Sequence, residues 1–359
     1  MLLSIGEHVK SVRIGPYHPR MDAATADGLL VAAQEARAAM RSGDDAAVAR
    51  LEKLYPDLGA ALGWNLEQGR IDEADRLAAA LVPFWIATRR IDEGQAWFER
   101  AIPEPWTDPR RARAEYDHGY LAFFAGHYEL AETRFVDARR LATGTGDADV
   151  VALALAGFAR VALNTDPGEA VRLLREAIDV TTHLPESDGR SSANHVLGVA
   201  LQMAGDLAGA RDVMTERLER ARLAGNDFVV AVESANLSMV ERKLGNLDGA
   251  AALSREALRT VSRKGDEMAI PWVINGLAAV TAAQGRLERA ATLIGIAESL
   301  LEQAGGEWPA DEREQYEGAL ALVSAGLSPA ELAGARAAGA AMSLDDAVAY
   351  ALATEGRSA

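Results

Sequence analysis

Apolar residues run along this chain in helix-length blocks, and the polar breaks between the blocks recur. Four breaks superpose: Ala125-Gly126-His127-Tyr128-Glu129-Leu130-Ala131, Ala204-Gly205-Asp206-Leu207-Ala208-Gly209-Ala210, Leu244-Gly245-Asn246-Leu247-Asp248-Gly249-Ala250 and Gln284-Gly285-Arg286-Leu287-Glu288-Arg289-Ala290. Their glycines stand 79, 40 and 40 residues apart, and 79 is close to two such intervals. Each unit therefore reads as helix A, tight turn, helix B. Glycine ends helix A, where a left-handed backbone costs it little. The alanine five residues on lets helix B press against helix A. An altered break, Thr165-Asp166-Pro167-Gly168-Glu169-Ala170, fills the missing interval, with Asp166 placed to cap a helix and Pro167 suited to its first turn.

A second series, Gly146, Gly225, Gly265 and Gly305, keeps the same spacing and marks the far end of each unit, with residues 185–189 in the altered one. Seven residues before each turn glycine stands a small residue, Gly119, Gly198, Ser238 or Ala278, and Gly157 takes that place with a one-residue slip. Units of this kind cannot bury their apolar faces alone, so they stack. The expected fold is all-α, a right-handed superhelical solenoid of antiparallel helix pairs. Residues 108–305 form the array, and residues 1–107 and 306–359 supply capping helices at its ends. Tighter turns at Gln68-Gly69-Arg70 and Thr88-Arg89-Arg90, a helix over 311–324, and helix starts at Ser328-Pro329 and Ser343-Leu344 belong to these caps.

Small residue in helix A, glycine at the turn and alanine early in helix B resemble the tetratricopeptide repeat, here lengthened from its usual 34 residues. Two further stretches carry a wider resemblance. One is Leu58-Gly59-Ala60-Ala61-Leu62-Gly63-Trp64-Asn65-Leu66-Glu67-Gln68-Gly69, with Phe84-Trp85 after it. The other runs from Gly285 through Leu293-Ile294-Gly295-Ile296-Ala297-Glu298 to Ala338-Gly339-Ala340-Ala341-Met342-Ser343-Leu344-Asp345-Asp346. Both are similar to the MalT-like helical-repeat region at the C-terminal end of actinobacterial LuxR-type and AfsR-type transcriptional regulators, over roughly residues 45–350. The resemblance implies a sensor region. The NTPase and helix-turn-helix modules that accompany it in the family have no counterpart here: no Gly-x-x-x-x-Gly-Lys-Ser/Thr loop occurs and no basic recognition helix stands out. The chain reads either as an isolated sensor region or as a free-standing relative.

Composition narrows the partners. The net charge of −16 repels phosphate backbones, so direct nucleic-acid binding is not expected. There are no cysteines, which excludes disulfides, thiolate metal sites and a cysteine nucleophile. The first seven residues do not read as a secretion signal, and the longest apolar run, residues 150–159, is half of what a membrane span needs. A cytoplasmic protein without cofactor or metal is expected. The six histidines show no metal spacing. The acidic pairs Asp72-Glu73, Asp92-Glu93 and Asp345-Asp346 open helices, where exposed N–H groups favour negative charge. No catalytic residue is assigned, and an enzyme would need titratable groups converging in one pocket.

Helix A should face the inner groove. Helical spacing places Arg113, Tyr116, Tyr120, Phe123 and Phe124 there, then Phe158, His195, Met203, Asn236, Met239, Arg242, Trp272 and Asn275. This mix of aromatic, thioether and amide groups suits a small molecule, a peptide or a partner protein helix, with Arg113 and Arg242 anchoring an anionic group. The alternative for each residue is packing between helices, and the alternative for the whole is a constitutive protein–protein scaffold. Of 20 aromatic residues, 11 lie between Phe84 and Phe135, which reads either as a pocket or as a second core where the N-terminal helices meet the array.

Overall fold

The computed structural model describes residues 21–41, 44, 46–101, 111–163, 165–184, 187–265, 269–306, 308 and 310–353. The N-terminal seven residues, His8, His18, Ile102, Trp106, Pro185, Glu307, Pro309 and the Arg357-Ser358-Ala359 end lie outside them. Among the described residues every regular element is helical. In order these are α1 (Ala23–Arg41), α2 (Ala46–Glu67), α3 (Ile71–Ala87), α4 (Ile91–Ala101), α5 (Ala112–Phe124), α6 (Tyr128–Thr145), α7 (Ala148–Ala162), α8 (Pro167–Val180), α9 (Asp188–Met203), α10 (Leu207–Leu223), α11 (Asp227–Lys243), α12 (Leu247–Lys264), α13 (Ala269–Ala283), α14 (Leu287–Gln303), α15 (Ala310–Gly326), α16 (Pro329–Ala340) and α17 (Leu344–Leu352). No helix among these residues is long and apolar enough to cross a membrane. The chain falls into two compact units, Met1–Val196 and Leu197–Ala359.

The turn chemistry follows the repeat. Gly126, Gly205, Gly245 and Gly285 all have φ between 76° and 85°, and Gly146, Gly225, Gly265 and Gly305 between 62° and 75°. In this region a side chain costs about 1–2 kcal/mol, so glycine recurs there. Arg89 is the exception, holding φ 56° at the turn before α4. The polar residue after each turn glycine starts the next helix. Asp206 accepts from the Gly209 N–H at 2.9 Å, and Asp166 from Glu169 at 2.9 Å. Asn246 does the same for Gly249 at 3.2 Å. His127 and Arg286 hold this position without a side-chain cap. Pro167 opens α8, and Ser328 and Glu331 form a reciprocal capping box on α16.

Packing explains the small residues. Ala131, Ala170, Ala210, Ala250 and Ala290 are all fully buried. Gly94 holds that position in α4, where a Cβ would stand 2.7 Å from the Trp85 ring. In helix A, a Cβ on Gly119 would meet the Phe135 ring at 2.9 Å, and one on Gly157 would meet the same ring at 2.6 Å. A Cβ on Gly198 would lie 2.8 Å from Met214. Ser238 replaces glycine in the next unit, and there its hydroxyl bonds the Ala250 carbonyl at 2.8 Å and Ser254 at 2.7 Å.

The cluster of aromatics from Phe84 to Phe135 divides: part of it is core, while Phe124 and Tyr128 are exposed and Tyr120 and Phe123 half-buried. Phe84, Trp85, Phe98 and Phe135 are fully buried. Phe98 of α4 stacks on His118 of α5, with centroids 5.8 Å apart and planes 11° from parallel. Burial, assisted by the Arg134 charge, pushes the His118 imidazole down to about 4 from the usual 6.5.

Two outcomes follow. Gly157→Ala should destabilise the protein by about 2 kcal/mol through overpacking against Phe135, and Phe135→Leu should recover part of that loss in the double variant, read by denaturant unfolding. His118 is neutral in the fold and protonates readily only when unfolded. Stability should therefore hold above pH 6.5 and fall between 6.5 and about 4. The loss should reach about 3 kcal/mol below that window, and His118→Phe should flatten this part of the curve in unfolding scans across pH.

Candidate functional site

The first unit brings its inner helices together at one end. Gly189 lets the start of α9 lie directly on α7: a Cβ there would stand 2.5 Å from the Asp149 carbonyl oxygen. The Gly189 N–H donates to the Asp149 carboxylate at 2.7 Å. Beside it, Asp188 receives Arg41 Nη2 at 2.6 Å and Arg37 Nη2 at 3.5 Å, both from α1. Arg113 of α5 approaches the same carboxylate at 3.8 Å. The first and ninth helices thus meet across 147 residues of sequence. Burial works to raise the Asp188 carboxyl, but Arg41, Arg113 and Arg37 together hold it below the usual aspartate value of 3.8.

Beyond this clasp the face is aromatic. Tyr116 and Tyr120 stack at 5.7 Å, and Phe124 meets Tyr120 edge-on at 5.0 Å. Arg160 of α7 lies over the Tyr120 ring at 5.4 Å and donates to Ser192 Oγ of α9 at 2.9 Å, so one guanidinium spans three helices. Its other bond is to the Ala156 carbonyl, and it makes no ion pair with a carboxylate among the described residues. Arg113 differs: its Nε stands 3.1 Å from both oxygens of the buried Asp117.

The predicted residues of this unit separate by depth. Phe124 is 45% exposed, Tyr120, Phe123 and His195 are half-buried, and Tyr116 is buried with its ring also against Phe135. Phe158 lies 5.9 Å from the Phe135 ring, in the layer between α6 and α7. Phe123 packs on Phe124 and on Tyr128 at the turn into α6.

In the second unit, Met239 is buried and accepts from Gln202 Nε2 at 2.7 Å, while Met203 is 45% exposed. Asn236, Arg242 and Trp272 are half-buried. Asn275 is fully buried and its Nδ2 donates to the Glu312 carbonyl and carboxylate of α15, both at 2.9 Å. Arg242 loses some basicity to burial, against the pull of Glu314 and Glu312. Three buried polar atoms on α11 and α13 have no hydrogen-bond partner: Arg242 Nε, Trp272 Nε1 and Asn275 Oδ1. Trp272 and Asn275 are one helical turn apart and share a face. No group of three or more acidic or histidine side chains able to hold a metal occurs among the described residues.

Sequence reasoning missed Arg160, Asp188, Arg37 and Arg41. Asp188 follows a break that resembles the other turns poorly, and Arg37 lies in a helix outside the repeat register. Arg160 carries the one readable signal: it is a cation two residues beyond Phe158 inside an apolar helix.

No family model matches the chain. It is similar to a curated protein of Mycobacterium tuberculosis (strain ATCC 25618 / H37Rv) named "Putative HTH-type transcriptional regulator Rv0890c", with 27% identity over 240 residues, which is 64% of this chain and 27% of that protein. The counterpart Mb0914c of Mycobacterium bovis matches equally. The chain spans about a quarter of the length of these curated relatives. Among solved structures it is similar to the apo form of the quorum sensor NprR from B. thuringiensis, with a TM-score of 0.53, 14% identity, and coverage of 87% of this chain and 84% of that one. NprR in complex with its cognate peptide NprX gives 0.50, 14%, 84% and 85%. A signal-transduction ATPase with a tetratricopeptide repeat sensor, PH0952 from Pyrococcus horikoshii, gives 0.54, 12%, 87% and 52%. At these identities the likeness is one of fold, and that fold is the tetratricopeptide-like helical repeat.

Asp188→Asn should lower stability by about 1 kcal/mol at pH 7, since the ion pairs it removes are partly exposed. The difference from the native protein should shrink as pH falls through the lowered Asp188 range, where the native carboxylate is itself protonated. Paired unfolding curves at neutral and acid pH measure both.

Proposed function

We propose that this chain is the sensor part of a bacterial regulator, and that it holds an extended peptide with an anionic group on the α5–α7–α9 face. The observation that carries this reading is Arg160. It is a half-buried guanidinium, stacked on an aromatic ring, fixed by a serine hydroxyl and uncommitted to any carboxylate among the described residues. Such a group is preorganised for a carboxylate, because its rotamer entropy is already lost. Tyr120 and Phe124 supply apolar area beside it, and Arg113, neutralised by Asp117, shapes the end of the face rather than anchoring the ligand.

The same logic extends to α11 and α13. Donors on Arg242 and Trp272 match the C=O groups of a peptide backbone. A buried polar atom without a partner costs about 1–3 kcal/mol. A ligand that supplies the partner recovers that cost. The fold likeness supports this reading, since NprR binds its cognate peptide on the same type of scaffold. The curated relatives support a place in transcriptional regulation. The finer reading, a sensor region like those of LuxR-type and AfsR-type regulators acting in the cytoplasm, with residues 1–107 and 306–359 capping an array over 108–305, rests on the family resemblance, the composition and the repeat spacing.

The test is a fluorescence-polarisation screen of the whole chain against short random peptides with free C-terminal carboxylates, repeated with the amidated library. Binders should prefer the free acid. Arg160→Ala should weaken them about tenfold, the loss of one charge-assisted hydrogen bond of about 1.4 kcal/mol. Tyr120→Ala should weaken both libraries. Silence in both, or affinity indifferent to Arg160→Ala, would replace this reading with the constitutive scaffold.

A further inference from the structure

The second unit contains a cavity of about 570 Å³ where α10 and α12 end and α11 begins, with Leu352 of α17 on one side. Its volume is that of a small-molecule site. Its chemistry is unlike the rest of this acidic chain. Arg255, Arg259 and Arg263 follow one another at one-turn intervals along α12. The last two line the cavity, and Arg222 faces them from α10.

Two carboxylates also line it, and both are engaged. Glu256 takes Arg222 on both oxygens, at 3.0 and 2.5 Å, and also receives Ser234 Oγ at 3.2 Å. Asp227 meets Arg263 at 3.4 Å in an exposed pair, which contributes little. Arg259 makes no ion pair among the described residues, and it lies upstream of the last turn of α12, where a helix C-terminus would account for a cation. One turn upstream, burial and then the charges of Arg289, Arg286 and Arg259 lower the basicity of Arg255, whose Nε is buried without a hydrogen-bond partner. The hydroxyl of Ser262, another lining residue, is also buried and unpartnered. Thr260 lies beside it on the cavity wall, and Val230 and Leu352 provide an apolar part.

We propose that this cavity binds a phosphate-bearing small molecule, with Arg259 and Arg263 on the phosphate, the Ser262 hydroxyl donating to it, and Val230 and Leu352 against the organic part. A phosphate dianion offers the several acceptor oxygens that planar guanidinium forks take two at a time. It would displace the loose Asp227 contact from Arg263 and relieve the repulsion along α12. The proposal is independent of the peptide reading, because its residues, Arg259, Ser262 and Arg263 of α12, Val230 near the start of α11 and Leu352 of α17, share no member with that reading.

The test is calorimetric titration of the full chain with pyrophosphate and with ADP, at ionic strength matched by chloride. Both probes should bind, and ADP should bind more tightly if the apolar lining contributes. Equal affinities would assign the site to the phosphate alone. Charge reversal in the Arg259→Glu/Arg263→Glu double variant should weaken both probes by more than about tenfold. Ser262→Ala, which removes only a hydroxyl, should weaken them by several-fold and keeps the test readable if the double variant folds poorly. Arg172→Glu, on the exposed face of α8, should change nothing. Binding of neither probe above the chloride background would overturn the site, as would equal affinity in the native protein, the double variant and Ser262→Ala.

Discussion

One steric relation recurs through the repeat: a small residue on helix A faces a residue sixteen positions later on helix B. The pairs are Gly119 with Phe135, Gly198 with Met214 and Ser238 with Ser254, and Ala278 stands in the same register with the equally buried Ile294. Size is exchanged across the contact. Glycine accepts an aromatic ring or a thioether, and serine meets serine through a hydrogen bond. The helices can approach only where the small residue leaves room for its partner, because packed interiors leave no spare space. Phe135 extends the rule across a unit boundary, since Gly119 and Gly157 flank the same ring and tie two adjacent hairpins together. The turn glycines serve this relation by closing each hairpin in the register that brings the sixteen-residue partners into contact.

With apolar contact concentrated in those layers, the opposite side of helix A is free to carry other chemistry. In the first unit that side holds Tyr120, Phe124 and Arg160. Ionic groups there are matched to one another: Arg113 to Asp117, while Asp188 gathers three arginines from two other helices. In a chain of net charge −16, Arg160 and Arg259 make no ion pair among the described residues.

Much of this was legible because repeats amplify weak local signals. One glycine predicts little, but two series at a common interval predicted every left-handed turn from Gly126 to Gly305, and Asp166-Pro167 identified the altered unit. The turn at Arg89 lacks the glycine, yet Arg90-Ile91-Asp92-Glu93 repeats Arg70-Ile71-Asp72-Glu73 and marked it. The site was less legible. Tyr116, Phe158 and Asn275 occupy helix A positions that periodicity cannot divide between the groove and the neighbouring helix, because both lie within one helical face. The contact of α1 with α9 was invisible for a different reason: it depends on how five helices accumulate curvature, and no local pattern encodes that sum.

The two kinds of contact differ in strength, and the difference decides what can move. Pulling Phe135 from its glycines would open a cavity in a packed core, a change of about 3–5 kcal/mol by comparison with large-to-small substitutions. Releasing Asp188 from Arg37, Arg41 and Arg113 separates partly exposed ion pairs, each contributing about 1 kcal/mol or less. The hairpins therefore behave as rigid bodies, while the meeting of α1 with α9 is the soft joint of the first unit. On the proposed reading, a ligand on Arg160 and Tyr120 would touch α7 and α5, which Arg160 ties to α9 through Ser192. It needs only a kilocalorie or two of differential affinity to shift the balance between joined and parted ends. Within the first unit the ionic clasp is therefore the contact that costs least to open, and the apolar layers are the ones that cost most.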